Sequence, residues 1–576
     1  MRTVVSIIAC VWLLVVGCIA EAAPVRDKTF PWREWSPAVF EEAKRDGKFV
    51  VLSLQSWWCP WCDAMNEQTY GDAEIRAELS KNYITVRVDQ DSRPDLSQKY
   101  ERWGWPATVI FGADGTEIVK LRGFVPPPRF MAIIKEIVVD PSPIAYPAQG
   151  GAERPVSAAV RLADDDRKRI LDFMESVWDE ENGGWGRRSK FTDAPTFLYA
   201  LEEGFRGDAE MMRRARKTVD GFMNLIDDET GAVSQISPNL DWTGGFREFP
   251  MFAQEAGLTV FSQAYAVWRD PAHKAAADKV YNFLTTTLRG PNGAFYTSMG
   301  LEKNAPGVDT RQYARENGMA IAALLAFYDA TGEAAALESA RDAAAWVLAE
   351  RSRGDGGFRH AAKDPGGPYL VDSLAMGRAF LALYRSTGER PWLAHAEKAA
   401  DFIAETFIDT RTGAFLASKP DPLLPAPAKQ KDDNVAAVRF FNLLRHYSGV
   451  KRYGEIAEAG MGYLTSKAVT EAYYFLPGVL LVEHELTHEP VKATIIAPKG
   501  DAAGQALHKA ALAFPTRYKR VQWWDKAEGR LRYHDVNYPD YPEPAAFACT
   551  STFCSLPVTD PADVAEALAR LERAID

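Results

Sequence analysis

The sequence predicts a multidomain protein: an α/β domain, then an all-α toroid of six helical hairpins, (α/α)6, then a small α/β C-terminal segment. Three observations carry this. Between Trp32 and Ile137 short apolar runs alternate with amphipathic stretches over a length typical of one domain. From Asp164 to His488 apolar residues recur at three- and four-residue spacing, enough for about twelve helices. Past Glu489-Pro490 the period changes again, with strand-like Val491–Ile496 and Arg520–Trp524 around a helix over 502–513. The expected divisions are a leader over 1–22, an α/β domain over 26–139, a linker over 140–160, the toroid over 161–489 and the C-terminal segment over 490–576. At 576 residues the chain exceeds what one core can organise.

Net charge is −11 and the isoelectric point near 5.5, which argues against nucleic acid as a partner. Arg2, the apolar run Val4–Val16 and Ala20-Glu21-Ala22 have the layout of a secretory leader, so the protein is expected to be exported, to a periplasm or beyond. Val15-Val16-Gly17-Cys18 leaves lipid attachment at Cys18 open as the one route to a membrane. An exported chain works where disulfides persist. Beyond Cys10 and Cys18 it keeps two close pairs, Cys59/Cys62 and Cys549/Cys554, too few for a disulfide scaffold.

In the first domain a helix is expected from Ser36 to Arg45, then the strand Phe49–Leu54, then Trp57-Trp58-Cys59-Pro60-Trp61-Cys62 at a strand-to-helix turn. Pro60 suits the first helical position, so Cys59 caps a helix N-terminus whose dipole favours a thiolate. Cys62 lies one turn further, placed to attack a mixed disulfide on Cys59. A passive disulfide and half of a zinc site remain the alternatives for this pair. Helix 72–81, strand 84–88, helix 95–103, strand 108–111, the Asp114-Gly115 turn, strand 117–121 and helix 129–138 follow. No metal or cofactor is called for.

Through the helical region a Gly-Gly or Gly-Ala step precedes a large residue at Gly183-Gly184-Trp185, Gly231-Ala232-Val233, Gly293-Ala294-Phe295, Gly356-Gly357-Phe358 and Gly413-Ala414-Phe415. Copies lie about 50–60 residues apart, one hairpin each. Helices are expected at 164–178, 193–204, 208–226, 250–268, 271–288, 313–331, 334–350, 370–387, 391–408, 432–448, 451–467 and 470–487. Six hairpins close a ring; an open solenoid is the alternative. Glu255, Asp309, Glu316, Asp372, Asp432 and Asp433 are the carboxylates that could enter the cleft, where glycosidic hydrolysis would need one protonated and one ionised. Glu255 and Asp372 head apolar helices, a place where the helix dipole alone explains an acid. Trp185, Trp242, Phe295, Tyr296, His360 and Tyr369 are rim aromatics or core.

The element order, the Cys pair and Gly104-Trp105-Pro106 ahead of a strand resemble the thioredoxin superfamily. That resemblance implies a cis Pro106 facing the Cys pair, with Trp105 before it, guiding a substrate strand. The superfamily's buried Asp six residues before the first Cys is Ser53 here. The helical region resembles the six-hairpin glycosidase-like fold, which implies a carbohydrate cleft ringed by the long loops. Phe547-Ala548-Cys549 to Cys554-Ser555-Leu556-Pro557-Val558, Gly183–Gly186 with Lys190-Phe191, Asp89 through Arg93-Pro94-Asp95, and Glu316-Asn317-Gly318-Met319 resemble motifs of thioredoxin-domain proteins of the spermatogenesis-associated protein twenty type. The family's Cys-His-Trp-Cys-His reads Cys59-Pro60-Trp61-Cys62-Asp63, and its His-Phe-Glu-Lys-Met-Leu-Tyr-Asp block shrinks to Phe249–Glu255. The expected activity is thiol–disulfide exchange with protein thiols or disulfides. A carbohydrate-active toroid and a non-enzymatic scaffold are the alternatives. Cys549/Cys554 is either a structural disulfide or an internal relay.

Overall fold

The computed structural model describes residues 30–575 apart from Trp57, 147–154, 156–159, 302–306, Pro365, 421–426 and Thr552. The expected leader, Cys18 and much of the linker lie outside these residues. No helix among the described residues is long and apolar enough to cross a membrane.

The first domain runs α1 (Pro37–Asp46), β1 (Phe49–Gln55), α2 (Pro60–Ala64), α3 (Ala73–Asn82), β2 (Tyr83–Asp89), α4 (Pro94–Tyr100), β3 (Ala107–Phe111), β4 (Glu117–Arg122) and α5 (Pro127–Val139). The sheet order is β2-β1-β3-β4, with β1 parallel to β2 and antiparallel to β3. Strand β1 is central because both its faces are apolar. Val51 joins Ile110, Phe130 and Ile134 on one side, and Val50 and Leu52 join Trp35, Phe40 and Val109 on the other. Ser36 precedes α1 as expected, but its side chain makes no capping bond.

Helices α6 (Asp164–Val177), α7 (Ala194–Phe205), α8 (Ala209–Phe222), α9 (Met251–Trp268), α10 (Pro271–Phe283), α11 (Ala314–Thr331), α12 (Ala334–Glu350), α13 (Leu370–Thr387), α14 (Arg390–Thr406), α15 (Lys431–Ser448), α16 (Lys451–Leu464), α17 (Lys467–Thr470) and α18 (Pro477–Thr487) form the toroid. Helices α7, α9, α11, α13, α15 and α18 each pack on the next, and α18 packs back on α7. The ring is closed and the solenoid alternative falls. The last hairpin differs from expectation: the helix expected over 470–487 begins only at Pro477, which lacks the N–H a helix interior needs and suits a first turn, and a short α17 precedes it.

The glycine repeat has one physical cause. Gly183, Gly231, Gly293, Gly356 and Gly413 all have positive φ, and a Cβ on any of them would press within 2.4–3.2 Å of Lys217, Lys279, Asp342, Lys398 or Ala459 on the next outer helix. The large residue after it is then latched by the fourth residue of the inner helix. Gln254 bonds both backbone groups of Val233, Asn317 those of Phe295, and Asn434 those of Phe415, while Ser373 accepts from Phe358 N–H. These buried side chains satisfy loop backbone that the helices would otherwise bury unpaired. Short strands β5 (Lys190–Phe191), β6 (Ile236–Ser237), β7 (Glu248–Pro250), β8 (Ser298–Gly300) and β9 (Gly307–Asp309) tie the same rim together.

The C-terminal segment is β10 (Val491–Ile496), α19 (Ala502–Leu512), β11 (Lys519–Trp524), β12 (Ala545–Cys549) and α20 (Pro561–Ile575). Strand β12 was not expected. It pairs antiparallel with β10 and completes a β11-β10-β12 sheet, since Ala545–Ala548 is apolar enough to be buried at a short edge. The segment covers the tight-turn rim of the toroid, with Trp523 against Gly388 and Tyr533 against Gly449.

Candidate active site

Strand β1 delivers the Cys motif to the N-terminus of α2. Cys59 is the N-cap residue, its Sγ accepting from Cys62 N–H at 3.1 Å, and the two cysteines form a disulfide. Both are buried, Cys59 3% and Cys62 1% exposed, in a cluster with Trp58 and Trp105. Trp61 instead stands 63% exposed, with Phe124 6.2 Å away. The Trp105–Pro106 bond is cis, as the resemblance implied. Because Leu54 pairs with Ala107, Pro106 enters β3 beside the end of β1 that leads to Cys59.

Where thioredoxins carry a carboxylate, Ser53 is wholly buried and belongs to a hydrogen-bond network whose named members include no carboxylate. Gln55 Nε2 donates to Ser53 Oγ (2.8 Å) and Asn66 Oδ1 (2.9 Å), and Asn66 Oδ1 accepts also from Arg87. Proton transfer to Cys62 therefore has no relay acid at that position. Asp63, buried in the first turn of α2, is the nearby acid that the sequence reading passed over.

The redox motif and the toroid meet through a second segment. Gln55 and Asp89 are register partners at the ends of β1 and β2, so the Cys motif and residues 89–95 leave one edge of the sheet together. Asp89 accepts from Arg311 at 2.9 Å, and Asp309 braces that guanidinium from its other side. The Asp91 carbonyl accepts from His360 Nε2–H at 2.6 Å, while His360 Nδ1 lies 2.9 Å from Asp372, and Tyr313 stacks on the ring at 4.1 Å. Gln98 donates to Asp433 at 2.5 Å. A carbonyl at one ring nitrogen and a carboxylate at the other favour a positive charge on His360. Burial opposes that charge, but Asp372 outweighs it and the pKa is raised. Burial, with Asp89 and Asp432 as like-charged neighbours, pushes Asp91 and Asp433 each up to about 7.

The expected cleft residues thus part company. Asp372 is fully buried, accepting also from Arg315 N–H, and serves the domain seam rather than an open cleft; Asp309 and Asp433 do the same. Glu316 is buried against the Arg315 guanidinium at 2.8 Å. Trp185 packs on Trp178 at the first glycine loop. Glu255 alone stays without a hydrogen bond or ion pair among the described residues; burial raises its pKa, with Arg378 and Arg517 pulling the other way. Arg311 and Arg315 were missed, although basic residues flanking Asp309 and Glu316 opposite the acidic run Asp89–Asp95 were the available signal.

Cys549 and Cys554 form the second disulfide, beside exposed Phe553 and Leu556. Ser551 N–H donates to Glu489, just past α18, placing this pair at the tight-turn rim. The inner helices separate the two disulfides by about 27 Å of helix, 18 residues in α13. The internal-relay alternative needs sulfur contact, and this arrangement does not bring it about.

The family described as Thioredox_DsbH, protein of unknown function, DUF255, matches residues 23–138. Spermatogenesis-associated protein 20 of Mus musculus is 23% identical over 312 residues, 46% of this chain and 38% of the mouse protein. That alignment is longer than the first domain, so it runs into the toroid. This chain and spermatogenesis-associated protein 20 are homologues. The chain spans about 38% of the length of that relative, and the N-terminal domain is thioredoxin-like and of redox type. A thiol:disulfide interchange protein DsbD of Pseudomonas sp. is 31% identical over 80 residues, 13% of this chain and 14% of that protein. A sugar epimerase from a ruminal bacterium overlays 52% of this chain and 85% of its own at a TM-score of 0.45 and 16% identity. The toroid stands on its own closed ring of hairpins.

Proposed function

We propose that the chain carries out thiol–disulfide exchange with protein partners, outside the cytoplasm, once the leader over 1–22 has been removed. The observation that carries this reading is the Cys59–Cys62 disulfide capping a helix beside cis-Pro106. A substrate thiolate attacks Cys59 Sγ, the intramolecular S–S bond breaks, and Cys62 departs as thiolate and takes up a proton. A second substrate thiolate then attacks the mixed disulfide and releases Cys59, so two thiols become one disulfide as the enzyme gains two electrons and two protons. In reverse, Cys59 attacks a substrate disulfide and Cys62 resolves it. Exposed Trp61, with Phe124 beside it, offers partners an apolar surface next to the motif.

In Cys62→Ser, partners are expected to accumulate as mixed disulfides on Cys59, separable on non-reducing gels and absent from the Cys59→Ser, Cys62→Ser double variant. Insulin reduction or refolding of a scrambled protein that survives Cys59→Ser unchanged would sink the reading. A second reading, carbohydrate in the toroid, rests on Glu255, the one expected cleft acid left without a partner. Sugar binding lost in Glu255→Gln supports it; silence of the wild type across a broad glycan panel counts against it.

A further inference from the structure

Where the C-terminal segment meets the tight-turn rim, the ends of α9, α11 and α13 and residues 512–519 enclose a cavity of about 290 Å³ including its open mouth. Most of that space is the open mouth; the enclosed part has room for an ion of few atoms and no more. Its polar wall is almost all donor. Gln263 is only 7% exposed, yet its Nε2 has no acceptor. Arg385 Nε is likewise unmatched, although the same guanidinium pairs with Asp329 at 2.7 Å. Lys519 Nζ gives two protons to the carbonyls of Leu512 and Phe514. The Arg517 guanidinium makes no hydrogen bond or ion pair with any described residue; only its backbone N–H is engaged, by Glu202.

The single carboxylate in the wall, Asp329, is already spent. Arg385 neutralises it and Ser386 Oγ donates to it at 2.8 Å. Two cations therefore remain without a counter-charge in contact, together with two unmatched N–H groups, and the wall offers them no further carboxylate. Water can take single protons here but cannot balance the charge, and an uncompensated buried cation is the costliest way to leave a cavity. Burial, reinforced by Arg385 and Arg439, pushes Arg517 down to about 10, and burial pushes Lys519 down to about 7.

We propose that this cavity is an anion site, taking one small oxyanion of the phosphate or carboxylate type on Arg517, Gln263, Arg385 and Lys519. The anion accepts from four chain positions on two toroid helices and the C-terminal segment, and so pins that segment to the ring. The site is independent of the Cys59–Cys62 chemistry and stands or falls separately from it.

The test uses the full-length protein in chloride at constant ionic strength, titrated with inorganic phosphate in one arm and malonate in the other. Thermal unfolding and isothermal titration calorimetry are read together. A saturable rise in Tm with matching binding heat is expected, with phosphate alone marking a tetrahedral oxyanion and malonate alone a carboxylate. Arg517→Gln should weaken binding at least ~10-fold, the loss of a charge-assisted contact, while Arg517→Lys recovers part of it. Gln263→Leu keeps the charge and should weaken binding several-fold, and it carries the test if Arg517→Gln does not fold. The proposal is overturned if neither anion gives a saturable response, or if Gln263→Leu and the folded Arg517 variant titrate like the wild type, which would leave only general salt stabilisation.

Discussion

At the loop rim of the toroid the N-terminal domain is held by ions and hydrogen bonds: Arg311 between Asp89 and Asp309, His360 between the Asp91 carbonyl and Asp372, Gln98 on Asp433. At the tight-turn rim the C-terminal segment adds aromatic packing to its polar contacts: Trp523 and Tyr533 lie on the glycines that end α13 and α15, beside the ion pairs Arg390–Glu528 and Arg532–Glu397. Aromatic packing carries no titrating group of its own, whereas a seam built on buried ionisable groups is conditional on salt and pH. The domain with the disulfide is thus fastened by the more adjustable of the two joints.

The largest expected effect breaks the polar joint. Arg311→Ala removes the cation from two carboxylates and leaves both uncompensated, a loss of ~3–5 kcal/mol for a buried pair broken on one side. It should appear as faster proteolysis within the linker over 140–160 and an earlier urea transition, with amide exchange in β11 unchanged; equal loss at both rims would show that the joints are not separate. Gly388→Ala attacks the packed joint. With φ at +68° and Trp523 2.7 Å from the new Cβ, about 1–3 kcal/mol is expected, with linker proteolysis untouched.

The smallest effect is in pH, and its sign is definite. Asp91, Asp433 and His360 all bind their protons more tightly in the folded seam than in the unfolded chain, where carboxylates titrate near ~3.9 and imidazole near ~6.5. Their contribution is whole in acid. The carboxylates' share is lost between about pH 4 and 7, and that of His360 from about 6.5 upward through its raised pKa. Linker proteolysis should therefore be slowest below about pH 4 and rise towards pH 9, with His360→Gln flattening the upper limb. A flat wild-type profile would remove the seam from the account.

Much of this was legible because local rules dominate. Helix ends fell within a few residues wherever a glycine or an N-terminal proline marked them, as at Gly332, Gly388 and Pro271. Strand β12 escaped because four apolar residues after a proline-rich stretch carry no period. The fourth-position amides Gln254, Asn317 and Asn434 were visible but silent, since a lone polar residue on an apolar helix does not announce what it bonds.

By itself the chain determined that Cys59 would cap a helix opened by Pro60 and that a repeat of hairpins would follow, while the cis Pro106 was what the resemblance to thioredoxins implied. Only the tertiary structure decided the fate of the charged residues. Asp372 and Glu255 both sit in the first two turns of an inner helix, one sealed on His360 beneath a second domain and the other unpaired. Contacts 12, 57 and 269 residues apart made that choice, because Coulomb and hydrogen-bond energies depend on distances that the folded ring alone sets.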